Sequence, residues 1–301
     1  MIRNPRKTLA LSLALFILVV VGCSQVAIAE QYNHAMPMLR MGVGARALAM
    51  GGANVAVAND ATAGYWNPAG LSQVEKFSFS SMVAANMSED RKYNYLALAG
   101  KFEFGAIGFS WLNAGTSDIM KYSSQEVREG DFDANDHAFL FSYGNAMENL
   151  MVGFNFKVVY QKIDDYSKSG VGFDAGVKYA VDEMLHLGVT ASDLGTKIGE
   201  SVPATFRIGA AVFPVEGFTI PVDIEKVQHR SELKLRLGGE YAYQFADDYF
   251  GAVRGGVNDG EFTIGAGLKI MGKYSLDYAY ISENGDAFGE NHRISLTINM
   301  Y

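Results

Sequence analysis

The sequence predicts an all-β protein: a 14-stranded antiparallel transmembrane β-barrel with a small N-terminal plug of short helices and loops. Three observations predict it. From Phe77 onward, apolar and polar residues alternate with a period of two. The alternating segments are even in number, and most are near the about 9–11 residues that a tilted membrane strand needs. Their connections are long at one end of the predicted barrel and short at the other.

The alternation is explicit in the residues. Phe262, Ile264, Ala266, Leu268 and Ile270 alternate with Thr263, Gly265, Gly267 and Lys269. Val171, Phe173, Ala175 and Val177 alternate with Gly172, Asp174, Gly176 and Lys178. Successive strand side chains point to opposite faces, so each segment has one apolar and one polar face. In a soluble sandwich the apolar face meets a second sheet; in a membrane barrel it meets lipid, and the polar face lines the lumen. The predicted strands are 77–86, 92–101, 105–114, 137–144, 150–163, 169–179, 185–193, 204–213, 217–227, 232–243, 249–257, 261–270, 273–282 and 291–301. Soluble strands are typically shorter, about 5–6 residues.

With the first strand running outward, the outer loops are 87–91, 115–136, 164–168, 194–203, 228–231, 258–260 and 283–290. The inner turns are 102–104, 145–149, 180–184, 214–216, 244–248 and 271–272. Every connection longer than five residues falls on the outer side, the pattern of bacterial outer-membrane barrels. Phe102, Phe104, Tyr179, Tyr241, Tyr243, Tyr249, Phe250, Tyr274 and Tyr301 lie near predicted inner strand ends, and Tyr93, Tyr160 and Tyr280 near outer ones. They read as aromatic girdles at headgroup depth, or as ordinary strand aromatics.

The first 29 residues read as an export signal. Arg3, Arg6 and Lys7 precede the apolar stretch Leu9 to Val21, and Ala27-Ile28-Ala29 offers a cleavage site. Val20-Val21-Gly22-Cys23 is a second, lipoprotein-type cleavage reading. The apolar stretch is shorter than the about 20 residues that a spanning helix needs. Removing 1–29 leaves 22 basic and 33 acidic residues, a net charge near −11, which argues against a nucleic-acid partner. Cys23 is the sole cysteine, and with cleavage after Ala29 the mature chain has no disulfide, zinc–cysteine site or cysteine nucleophile.

Residues 30–76 lack sustained alternation and read as a plug, ahead of a barrel over 77–301. Ala, Met and Leu favour short helical turns there, and paired glycines and Asn67-Pro68 interrupt them. Gly42-Val43-Gly44-Ala45-Arg46-Ala47-Leu48-Ala49-Met50-Gly51-Gly52-Ala53 and Val55 through Leu71 resemble the opening of the PorV/PorQ family, relatives of the FadL-like outer-membrane transporters of hydrophobic compounds. Asn67, Pro68 and Ala69 resemble the asparagine-proline-alanine element of the FadL plug, and His292-Arg293-Ile294-Ser295-Leu296 resembles the closing strand. The resemblance spans about residues 40–72 at the motif level and implies a 14-stranded FadL-like barrel. Tyr301 departs from the usual pattern, being out of step with Ile294, Leu296 and Ile298.

Other constellations point elsewhere only as text. Gly42-x-Gly44-x-x-Ala47 lacks the βαβ context of a dinucleotide site. Asp131 to Asp136 opens like a calcium loop but lacks glycine at position six and glutamate at position twelve. The acids could instead be a solvated face, or could bind cations that bridge lipopolysaccharide. His34, His137, His186, His229 and His292 form no i,i+4 pair, so no metal site is expected. No cofactor is expected either. The charged residues expected to face the lumen are Asp174, Lys178, Lys234, Arg236, Glu240, Lys269 and Asp277. They read as a paired network that holds the plug, or as a permeation path.

The expected place is the outer membrane of a Gram-negative bacterium, in contact with its lipid and lipopolysaccharide. The resemblance implies two functions. One is transport of hydrophobic small molecules through a plugged barrel. The other is a type IX secretion component that binds exported cargo proteins at the surface. A third reading, an outer-membrane enzyme, has no nucleophile context to support it, and no catalytic residue is expected.

Overall fold

The computed structural model describes residues 35–85, 91–282 and 291–301. The predicted export signal, with Cys23 and the lipoprotein-type site, and His34 lie outside them. The strands are β1 (Phe77–Ala85), β2 (Arg91–Phe102), β3 (Gly105–Tyr122), β4 (Arg128–Met147), β5 (Leu150–Ile163), β6 (Tyr166–Ala180), β7 (Leu185–Leu194) and β8 (Lys197–Ile198). They continue as β9 (Glu200–Ser201), β10 (Thr205–Val212), β11 (Phe218–Val227), β12 (Leu233–Ala246), β13 (Tyr249–Asn258), β14 (Glu261–Ile270), β15 (Tyr274–Ile281) and β16 (Asn291–Met300). All but β8 and β9 join one closed barrel, in which each strand is antiparallel to its neighbours. β1 closes on β16 in continuous register, from Phe77 opposite Met300 to Ala85 opposite His292. This is the predicted 14-stranded all-β barrel.

Period-two patterning places the side chains. On β11, Thr219, Asp223 and Glu225 are buried in the lumen, while Phe218, Ile220 and Ile224 are exposed on the exterior. Ile208, Leu235, Leu237, Val253, Ile264, Leu276 and Leu296 continue that exposed apolar exterior around the wall. A continuous apolar surface of this extent marks contact with something other than water. Exposed Phe102, Phe104, Tyr241, Tyr243, Tyr249 and Tyr274 ring the end where the chain enters β1 and leaves β16, called the inner end below.

Several expectations are corrected. The long outer loop 115–136 is mostly strand: β3 and β4 continue as a hairpin, and the connection shrinks to 123–127. Sequence alternation fades there because a bulge at Thr116–Ile119 shifts the phase of β3, with Asp118 at φ 57°. Asp131 to Asp136 therefore alternate across an extended strand and cannot wrap an ion as a calcium loop does. The loop after β7 carries the small β8–β9 hairpin. Tyr93 is no outer girdle residue; it is fully buried in the lumen, in phase with Tyr95, Ala97 and Ala99. Phe250 lines the cavity at the inner end rather than the exterior.

Residues 35–76 fill the lumen. A 3-10 turn over Pro37–Arg40 precedes α1 (Ala45–Ala49), then α2 (Ala63–Trp66) and a second 3-10 turn over Pro68–Gln73. The elements stay short for local reasons. Gly42, Gly44, Gly51 and Gly52 all take positive φ, which ends helical runs. Asn67 is held extended before Pro68 (φ −160°, ψ 104°), which separates α2 from the turn that follows. α1 packs on β14 and β15, and the second 3-10 turn packs on β4, β5 and β6.

One substitution tests what covers the exterior. Ile208 sits in the middle of β10, opposite Val189 and Ile224. With hydrocarbon there, Ile208→Arg lowers unfolding stability in lipid vesicles by about 2–4 kcal/mol, measured by denaturant titration. A loss of only a few tenths would mean that water or protein covers this face.

Candidate functional site: the plugged lumen

The barrel wall meets the plug through missing side chains. Gly153 lies against Pro68, Gly176 against Asn67, Gly188 against Val55, Gly238 against Met50 and Gly256 against Gly51. A Cβ at any of them would overlap plug backbone or the Asn67 amide. Glycine at these lumen positions lets an irregular chain lie on the sheet, as close backbone approach requires.

Irregular backbone leaves donors and acceptors unpaired, and lumen side chains supply partners. Asp223 accepts from the backbone N–H of Asn54 (2.8 Å) and Val55 (3.0 Å). Thr263 accepts from Gly51 N–H at 3.0 Å and donates to the Ala49 carbonyl at 2.9 Å. Ser295 accepts from Ala45 N–H at 2.7 Å, and Ser78 from Ala61 N–H at 2.9 Å. Asn155 donates to the Gly64 carbonyl at 2.7 Å. Lys178 donates to the Ala58 carbonyl and to Gln73, both at 2.6 Å.

Asn67, Pro68 and Ala69 sit at the centre of this contact, and all three are buried. The Asn67 amide donates to the Val55 carbonyl (2.9 Å) and to the Val177 carbonyl on β6 (3.1 Å), and its oxygen accepts from Ala69 N–H (3.1 Å). One side chain thus ties two plug segments to the wall and caps the turn that Pro68 starts. Within the plug, Tyr65 donates to the Leu39 carbonyl and accepts from Gly42 N–H, each at 2.9 Å. Burial pushes its phenol above the ordinary value, so it remains a donor.

Charges in the lumen are paired across strands. Lys157 bridges Asp174 (2.9 Å) and Asp193 (2.5 Å). Glu225 joins Arg207 (2.5 Å) and Arg236 (2.9 Å). Arg254 joins Glu240 (2.5 Å) and Asp277 (2.8 Å). Arg46 of the plug closes on Glu240 through two bonds of 2.9 and 2.7 Å, and that carboxylate holds its guanidinium above its already high value. Of the lumen charges read from sequence, Asp174, Lys178, Arg236, Glu240 and Asp277 are buried inside. Lys234 and Lys269 share that face at opposite rims, Lys234 beside Asp259 (3.1 Å) and Lys269 beside the Tyr301 hydroxyl (3.2 Å). The Tyr301 contact accounts for its phase: the ring turns to the rim instead of joining Ile294 and Leu296.

Sequence reasoning missed Lys157, Asp193, Arg207, Asp223, Glu225 and Arg254. Most carried a signal: Lys157 lies between Phe156 and Val158, Arg207 between Phe206 and Ile208, and Asp223 between Val222 and Ile224. Asp193 carried none, because it leaves the β7 pattern with φ 62°.

The outer half of the lumen has an apolar sector beside the charged one of Lys157, Arg207 and Glu225. Toward the outer end, Tyr93, Tyr95, Leu112, Leu140, Val159 and Ile281 form an apolar chamber. Met36, Met38 and Leu39 of the plug fill it, together with Ile198 and Val202 from the loop after β7. Below α1 lies a cavity of about 570 Å³ at the inner end, lined by Arg46, Asp60, Gln73, Glu240, Lys269 and Asp277 among others.

No family model and no curated protein matches the sequence. Solved structures match the fold. The toluene transporter TbuX of Ralstonia pickettii aligns with a TM-score of 0.65 at 14% identity, over 86% of this chain and 99% of that one. The toluene transporter TodX of P. putida aligns with a TM-score of 0.61 at 13% identity, over 86% and 99%. A FadL homologue of Pseudomonas aeruginosa aligns with a TM-score of 0.52 at 10% identity, over 83% and 96%. The fold is that of FadL-type barrels.

Two substitutions test how the plug is held. Asn67→Ala removes the donor to Val55 and Val177, at a cost of about 1–3 kcal/mol. The expected result is faster hydrogen exchange over residues 45–75, with heat-modifiable migration of the barrel unchanged. Gly153→Val forces the Pro68 backbone off the wall, so ion conductance in planar bilayers rises. Conductance equal to that of the parent would show that the plug does not depend on close approach at this strand.

Proposed function

We propose that this chain is a plugged outer-membrane barrel of a Gram-negative bacterium that carries hydrophobic small molecules inward from the cell surface. The apolar chamber supports this reading most directly. A lumen that conducts ions or sugars presents polar walls along its length. Here one sector of the outer half presents Leu112, Leu140, Val159 and aromatic faces, beside charges that are paired off at Lys157, Arg207 and Glu225. Methionine side chains fill it, and flexible thioethers accommodate changes of neighbour. The fold shared with the toluene transporters TbuX and TodX supports the same class of solute.

Release has a direction that solvation favours. An apolar solute moving inward past the plug meets Arg46, Asp60, Glu240 and Lys269 in the inner cavity. A sideways path through the wall keeps it in hydrocarbon. The inner cavity then serves the plug's hydrogen bonds rather than the solute.

A second reading, a PorV/PorQ-type role in type IX secretion, draws on the resemblance over about residues 40–72 and on the β3–β4 hairpin. That hairpin exposes Met120, Tyr122 and Val127 near its tip, side chains that suit a protein partner. Neither role requires chemistry from the lumen groups, which are committed to one another or to the plug.

The roles separate by experiment. For transport, removal of the chain slows uptake of a radiolabelled monoaromatic hydrocarbon, and Leu140→Arg slows it comparably while the barrel still assembles. For secretion, removal traps exported proteins in the periplasm and leaves hydrocarbon uptake unchanged. Unchanged uptake in both the deletion and the Leu140 variant would end the transport reading.

A further inference from the structure

We propose that the exterior face of β2–β5, at its outer end, docks one lipid whose head group is a disaccharide with a phosphate at each end, the anchor of lipopolysaccharide. The proposal rests on the outer-membrane reading above. The observation that carries it is a sequence of cross-strand rows on one face.

Registers align the four strands residue by residue. Leu96, Trp111, Phe139 and Val158 form one exterior row, which is wholly apolar apart from the indole N–H. The next row toward the outer end is Asn94, Asn113, His137 and Tyr160. The row beyond is Lys92, Gly115, Asn135 and Lys162. Each step climbs about 7 Å along the strands. The wall therefore changes from hydrocarbon to amide, imidazole and phenol, then to ammonium, within two steps. Acyl chains, sugar and phosphate follow in the same order along such a lipid.

The middle row is a built platform. Asn94 donates to Asn113 at 3.3 Å, and Trp111 Nε1–H donates to His137 Nδ1 at 3.2 Å. The His137 ring stacks on Trp111 at 6.1 Å and 14°, and on Tyr160 at 6.2 Å and 28°. Ring faces at the edge of the apolar band suit the C–H faces of a sugar. Above them, Gly115 and Asn135 leave a low floor between two long cationic side chains.

The two lysines end their row, separated by three strand spacings, about 14 Å. A disaccharide phosphorylated at both ends spans that gap. Both lysines are exposed. Lys92 donates to Ser117 at 3.0 Å, and Lys162 has no hydrogen bond or ion pair among the described residues. Of the acids nearby, Asp131 is held by Arg128 at 2.8 Å and Asp164 by Lys121, and Asp133 accepts from the backbone N–H of Asp118 one step beyond the lysine row. Glu129 lies further up, toward the hairpin tip. In a chain of net charge −8, Lys92 and Lys162 put two exposed cations into this row. Across the barrel the outermost exterior pair of β13 and β14 is Val257 and Phe262, with no counterpart of the lysines.

The test uses the full chain in phospholipid nanodiscs, titrated with lipid A carrying both phosphates and read by native mass spectrometry. The expected result is one tightly held lipid A. The double variant K92Q/K162Q should hold it roughly thirtyfold more weakly, with unchanged heat-modifiable migration. Lipid A lacking one phosphate should bind the parent chain at an intermediate level. Equal binding by parent and double variant overturns the proposal. So does loss of lipid on adding EDTA or in D131N/D133N while the lysine variant retains it, because carboxylate-bound cations would then be the bridge. A chain that stays soluble without detergent would fail the membrane reading instead, before any lipid is added.

Discussion

A backbone surrounded by hydrocarbon has no water to satisfy its N–H and C=O groups. Each unpaired group there costs several kcal/mol, so a sheet in that setting must have no edge. The pairing of β1 with β16, from Phe77 opposite Met300 to Ala85 opposite His292, meets that requirement. Closure then dictates the rest. It gives every strand one face toward the exterior and one toward an enclosed space. Apolar residues occupy the first, as Ile224, Leu235 and Ile264 show, and the second must be filled.

The filling explains the chemistry of the lumen. The plug is irregular chain and carries many unpaired backbone groups. Asp223, Thr263, Ser295, Asn155 and Lys178 meet them from the wall. The glycines opposite Pro68, Asn67, Val55 and Met50 provide the room. Buried charges left over are paired in small sets around Lys157, Glu225 and Arg254. Pairing of this kind is weak evidence of added stability, because desolvation offsets most of the attraction. Its consequence is specificity: Arg46 meets Glu240 only when α1 lies on β14 and β15 as it does here.

The lumen is not uniform around its wall. An apolar chamber filled by methionine and leucine adjoins the charged sets of the outer lumen, and the inner cavity mixes charged and apolar side chains. The exterior changes from apolar to cationic toward the outer end. Along β2–β5 it passes from Trp111 and Phe139 to Asn94 and His137, then to Lys92 and Lys162. Lumen and exterior thus receive different side chains from the same simple alternation, read on opposite faces of the same strands.

Period-two patterning alone determined the barrel, the strand number and the asymmetry of the connections, because side-chain alternation is a local consequence of extended backbone. The same pattern made Asp174, Arg236, Glu240 and Asp277 legible as inward residues. It did not reveal the β3–β4 hairpin, where the bulge near Asp118 shifts the phase and the residues are polar on both faces. It also misplaced Tyr93, because a tyrosine beside a strand end suits either face until register is known. Tertiary structure alone decided which glycines meet the plug, which charges pair across strands, and how Asn67 links Val55 to Val177. Those contacts join residues distant in the chain. Their partners are set by register and closure, which no local pattern records.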